Sequence, residues 1–235
     1  MMSEKDETRA TKRKRAVDVL IAIALLGSVW GFLEVVLGGA IKAAGLPQRA
    51  AIMTGLGMGV MGIALGAFRR PLMLVAIPIV AVLCKQLVVP ILHVSILCKA
   101  NSCLAVGLDG FALAAVAGIA GRRMDKGYTI KVVSAASAAL LVRGTFYFMG
   151  MNLAPCAHLL SFNRAGGFVS FMAYNGLAWA AFSALLFPVG YWIGAQLKEP
   201  VLVLGTRRPS LYYVASAVAV ILCWGASALA ISSGL

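Results

Sequence analysis

Four ionisable side chains stand inside long apolar runs of the chain: Glu34, Lys85, Asp109 and Arg143. A charge held in hydrocarbon is costly, so such residues face one another, a polar interior or a solute. Two acids and two bases allow two arrangements. They can close two buried ion pairs that fix helix packing. Or they can line a polar pocket for a small charged or zwitterionic ligand, with Trp30, Tyr174 and Asn175 as further lining residues. A fifth ionisable residue, Lys131, sits near the start of its apolar run, from where its long stem can carry the ammonium to the interface.

A second set is made of thiols and imidazoles. The two histidines, His93 and His158, lie in the same two connecting segments as Cys98, Cys103 and Cys156. Cysteine with histidine suits soft or borderline metals. The spacings His93-x4-Cys98-x4-Cys103 and Cys156-Ala157-His158 match no standard metal site, however. In an oxidising compartment a disulfide is the simpler reading, for example Cys98 with Cys103, leaving Cys156 over. Thiol redox chemistry would call for a C-x-x-C pair, which the chain lacks. Cys84 and Cys223 fall within apolar runs and read as small apolar residues.

Motifs of other chemistries are missing. There is no G-x-x-x-x-G-K phosphate loop, no G-x-S-x-G elbow and no H-E-x-x-H pair. Neither an enzyme nor a cofactor is expected.

The elements that carry these residues follow from composition. Of 235 residues, 61% are hydrophobic and 12% charged, about half the charged share of a soluble domain. The apolar runs are long enough to cross the hydrocarbon core as helices, which takes about 20 residues. The fold class expected is all-α: a polytopic transmembrane bundle of about seven spans, with six as the alternative. The spans fall at 17–41, 50–68, 71–93, 104–121, 128–150, 167–196 and 210–232. The first run is much longer than the apolar core of a cleaved signal, about 7–15 residues, and reads as a retained span. Residues 1–15 read as a basic, disordered cytoplasmic tail, and 16–235 as one transmembrane domain.

Net charge is +13, but its distribution argues for topology and lipid contact rather than nucleic acid. Fourteen Lys and Arg fall in the tail and in alternate loops (Arg69/Arg70; Arg122/Arg123/Lys126; Lys198/Arg207/Arg208), against four on the other side: Lys42, Arg49, Lys99 and Arg164. By the positive-inside rule the N-terminus is cytoplasmic and the C-terminus outside, in a plasma or inner membrane. With that orientation Glu34, Lys85, Asp109 and Arg143 all fall in the outer half of their spans. A pocket open to the outside is expected, rather than a conduction path.

Small residues recur at four-residue spacing: Gly27/Gly31, Gly55/Gly59, Gly62/Gly66 and Gly110/Ala114/Gly118. Such ridges let helices approach closely. The stretch Gly27-Ser28-Val29-Trp30-Gly31-Phe32-Leu33-Glu34, continuing to Leu37-Gly38-Gly39 and a short loop with Pro47, resembles the substrate-binding S components of energy-coupling-factor (ECF) vitamin and metal transporters. The likeness covers the first two helices and the overall size. It implies a solute-binding subunit energised by a separate ATPase module, with an outward pocket anchored here by Glu34, Lys85, Asp109 and Arg143. It also implies that Ala24, Gly27, Ser28 and Gly31 meet a transmembrane coupling subunit. The family typically has six spans, whereas seven are counted here. Two other readings stay open: an anchoring or assembly subunit without a ligand, and an outer-face metal or thiol protein.

Overall fold

The computed structural model describes residues 4–153 and 155–234, and every regular element among them is helical. Seven helices are long and apolar enough to cross a bilayer: Ala16–Ala43, Arg49–Phe68, Met73–Leu92, Ala100–Ala120, Tyr128–Leu153, Gly167–Arg207 and Pro209–Ser232. They are called here the first to seventh spans. The chain is a multi-pass membrane helix bundle.

The boundaries depart from expectation at two places. The helix of the first span begins at Glu4, twelve residues before the span itself. The tail contains neither Gly nor Pro and is rich in Lys, Arg and Glu, which favour helix. The sixth span runs on to Arg207, past Pro188 and Pro200. Each proline removes one backbone hydrogen bond, and the apolar sequence on either side continues the helix regardless.

The second span is the most buried. It packs along the sixth span and also touches the first, third and fourth, while the first, third, fourth, fifth and sixth spans form an arc of successive neighbours around it. The seventh span lies outside this arc, mainly against the first.

Glycines explain the tightest pairing. A Cβ on Gly62 would stand 2.6 Å from the Phe187 carbonyl oxygen, and one on Gly55 would stand 2.8 Å from Phe182 Cβ. From the other side, Gly190 and Gly194 lie against the carbonyls of Gly59 and Ile63. The Gly55/Gly59 and Gly62/Gly66 ridges thus serve packing within the chain.

The bundle has two ends. The segments around 69–72, 121–127 and 208 share the basic end, where Arg69 meets Asp125. The turns near 44–48 and 93–99 meet at the opposite end, called here the pocket end.

Candidate functional site

Glu34 and Lys85 come together between the first and third spans. Lys85 Nζ donates to Glu34 Oε2 at 2.5 Å and also to the Ser102 hydroxyl of the fourth span. Both charged side chains are about nine-tenths buried. Local irregularities place them. Glu34 lies on a π-helical turn, Leu33–Leu37, which shifts the side chains beyond it around the helix. Lys85 ends the helical segment Met73–Lys85, and helix resumes at Val88. Pro90 causes the break: it cannot donate to the Gln86 carbonyl and its ring crowds that group.

This constellation lines a cavity of about 170 Å³ at the pocket end. Lys42, Arg49 and Lys99 also line it, with apolar wall from Val88, Leu92 and Ile231. Four cations therefore face one acid.

A larger cavity, about 640 Å³, lies at the basic end. Its polar groups are matched among themselves. Arg69 Nη1 donates to Asp125 Oδ2 at 2.8 Å, the Tyr191 hydroxyl donates to Asp125 Oδ1 at 2.5 Å, and the Lys131 ammonium stands 4.9 Å from the Tyr191 ring centroid. Volume alone favours this cavity; unbalanced charge favours the smaller one, which we take as the candidate site.

Asp109 and Arg143 do not reach that cavity. They are 1% and 3% exposed, and no contact ion pair joins them among the described residues. Of the two buried pairs considered from sequence, only Glu34–Lys85 forms. Beside Asp109, the bare Cα of Gly110 accommodates the Leu74 carbonyl freed by Pro78. One Asp109 oxygen, Oδ1, has no hydrogen-bond partner. Arg143 is enclosed by aromatic rings, with its guanidinium 4.0 Å from the Trp179 centroid, 4.5 Å from Phe171 and 5.2 Å from Phe146. Stacking on ring faces supports a desolvated guanidinium.

Asn175 is buried on a second π-helical turn, Met172–Gly176, and its Nδ2 is unpartnered, as is Nε1 of the fully buried Trp30. Trp30 lies against Gly57, where a Cβ would stand 2.7 Å from the indole nitrogen. Tyr174 is 62% exposed and is not part of the lining of this cavity. Of the seven candidates, Glu34 and Lys85 line the cavity, Asp109, Arg143, Trp30 and Asn175 are buried away from its lining, and Tyr174 is exposed.

The proposed coupling face of the first span is occupied by the chain's own helices. Gly27 and Gly31 receive the third span, where a Cβ on either would stand 2.5 Å from Val80 Cβ or Cys84 Cβ. Ser28 is fully buried and accepts a hydrogen bond from Trp224 Nε1 of the seventh span at 2.9 Å. Ala24 is half-buried. Gly27, Gly31 and Ser28 thus pack within the chain, and spacing alone does not tell an internal ridge from an external one.

The thiol and imidazole set is dispersed. Among the described residues no group of three His, Cys, Asp or Glu could hold a metal. His93 closes the third span in the left-handed backbone region, φ 51°. His158 packs edge-on against Phe162. Cys103 and Cys156 are free thiols, Cys103 accepting from Gln86 Nε2 at 3.3 Å, and the side chain of Cys98 lies outside the described ones.

No family model, curated protein or solved structure matches the chain.

Sequence reasoning passed over Ser102 entirely and used Lys42, Arg49 and Lys99 only to count charges. Their signal was available: they are cations on the side of the bundle where cations are few.

Proposed function

We propose that the chain is the membrane-embedded substrate-binding subunit of a small-solute importer, energised by a separate ATPase module. The observation that carries this reading is the buried Glu34–Lys85–Ser102 constellation at the cavity of the pocket end. Helix breaks and π turns at membrane depth recur where transport proteins bind solute, since they free backbone and side-chain groups to face a cavity. Here a π turn carries Glu34 and a helix break follows Lys85.

The excess of Lys and Arg at the opposite end supports an orientation in a plasma or inner membrane with the N-terminus cytoplasmic and the C-terminus outside. The pocket end then faces the outside, as capture of an external solute requires. The resemblance of residues 27–39 to ECF S components supports the same role. With the small-residue face of the first span already covered, a coupling subunit would bind elsewhere on the bundle.

Copurification tests this. The tagged chain, extracted from its native membrane, should bring down a transmembrane coupling subunit and ATPase subunits. Extraction of the chain alone, under conditions that preserve membrane complexes, argues against it. A second reading, an anchoring or assembly subunit without its own ligand, has one supporting observation: Lys85 and Glu34 satisfy each other within the chain. On that reading Glu34→Gln and Lys85→Met lower stability or assembly while leaving solute uptake to other subunits.

A further inference from the structure

We infer that the cavity at the pocket end binds a small polyanion, one carrying phosphate or several carboxylate groups, and that Lys42, Arg49 and Lys99 select it. The inference rests on the reading of the chain as a substrate-binding subunit whose pocket end faces outside.

Charge balance is the first argument. Of the cavity's four cations, Lys85 is engaged by Glu34, the one acid in its lining. Lys42, Arg49 and Lys99 have no carboxylate in ion-pair contact among the described residues. Among the described residues no other acidic side chain lies near enough to serve them. Asp109 is walled off in the interior, Asp125 is held by Arg69 and Tyr191, and Asp18 takes a hydrogen bond from Tyr213 at 3.3 Å. Glu199 stands near the basic end of the sixth span, and Glu4, Asp6 and Glu7 precede the first span. An excess of three positive charges remains around one small space.

Topology is the second argument, and it is independent. Lys and Arg are disfavoured in the outer loops of a multi-pass protein. The chain keeps only four there, and three of them converge on this cavity from separate segments: Lys42 at the end of the first span, Arg49 at the start of the second, Lys99 before the fourth. Cations retained against the topological preference and then gathered at one cavity have a local task.

Chemistry and size define the ligand. Two ammonium groups and a guanidinium fork supply charge-assisted donors suited to carboxylate and phosphate oxygens, and the Ser102 hydroxyl adds a polar group to the wall. About 170 Å³ corresponds to the liquid volume of roughly five or six waters. That suits inorganic phosphate or a short polycarboxylate. A free metal cation would meet net repulsion, so the metal-cargo branch of the resemblance is disfavoured.

The test is calorimetric titration of the purified full chain, in neutral detergent and in phosphatidylcholine nanodiscs, with citrate and inorganic phosphate as probes and magnesium as the cation comparator. Saturable binding of at least one anion is expected, with no binding of magnesium. Arg49→Gln, and the double variant Lys42→Gln/Lys99→Gln, should weaken it about 10-fold or more, as loss of charge-assisted bonds does. Arg164→Gln, the outer cation away from the cavity, should bind as the wild type does. Size-exclusion and melting profiles show that the exposed-site variants are folded. The inference is overturned if neither anion binds the wild type, or if Arg164→Gln weakens binding as much as the cavity variants. It is also overturned if native mass spectrometry finds phosphatidylglycerol retained at the site while neither free anion binds, because the cations then hold a lipid headgroup. Anion binding without copurifying ATPase subunits would instead overturn the importer reading and leave this inference standing.

Discussion

Lys85 Nζ stands 2.5 Å from Glu34 Oε2, joining the third span to the first with both side chains about nine-tenths buried. The ion pair at the other end, Arg69 with Asp125 at 2.8 Å, has side chains 55% and 30% exposed. The two pairs share their chemistry and differ in solvent, which sets what each contributes.

Lys85→Ala leaves the Glu34 carboxylate buried without a partner, a change that costs about 3–5 kcal/mol in comparable buried pairs. Arg69→Ala removes a screened pair and should cost no more than about 1 kcal/mol. The double replacement Glu34→Gln/Lys85→Met should recover much of the first loss, because no charge is then stranded. Unfolding in detergent followed by circular dichroism measures all three. Equal losses for Lys85→Ala and Arg69→Ala would contradict the burial difference.

Glycine substitutions separate contact from propensity. Gly190 rests on the Gly59 carbonyl where the second and sixth spans cross, so Gly190→Ala must push the two helices apart. Gly225 lies in the seventh span with nothing within 4 Å of an added Cβ. There, Gly225→Ala should be neutral or stabilise by up to about 1 kcal/mol, since alanine is the better helix former. A melting-temperature drop for Gly190→Ala and none for Gly225→Ala is the expected result. Matching shifts would mean that the spans do not meet through these glycines.

These two cases show what the sequence conveys and what it withholds. Hydropathy and charge marked all seven spans, and the rarity of charge inside them pointed to Glu34 and Lys85. The glycine spacing was visible, but its direction was not: Gly27 and Gly31 face the third span within the chain, and the four-residue period is the same for an internal and an external ridge. The π turns at Leu33–Leu37 and Met172–Gly176 have no period of their own in the sequence, yet they carry Glu34 and Asn175. Lys42, Arg49 and Lys99 were legible as residues and illegible as a group, because only the fold brings three separate segments to one cavity.

Arg143 is held by ring faces rather than by a contact carboxylate, Trp179 lying closest at 4.0 Å. A lysine keeps the charge but loses the planar surface that stacks, so Arg143→Lys is not conservative at this position. The expected cost is about 1–2 kcal/mol from the lost cation–π contacts in a desolvated setting. Trp179→Leu should lower stability as well, and its effect should shrink in the Arg143→Lys background because the two changes remove one shared interaction. Additive losses in that double-mutant cycle would show that the indole and the guanidinium do not support each other.

Orientation decides whether the pocket can capture a solute from outside. Leu46, in the turn between the first and second spans, is 52% exposed and adjoins the segment that carries Lys42 and Arg49. Leu72, between the second and third spans, is 83% exposed at the basic end. Single cysteines at the two positions, Leu46→Cys and Leu72→Cys in a cysteine-free background, report the sidedness of each end. In sealed right-side-out vesicles a membrane-impermeant maleimide should label Leu46→Cys at once and Leu72→Cys only after permeabilisation, because the proposed orientation puts the basic end in the cytoplasm. The reverse pattern would place Glu34, Lys85 and the cations around them on the cytoplasmic side. A cavity there could bind an internal anion but could not take up an external one, and the importer reading would fall with it.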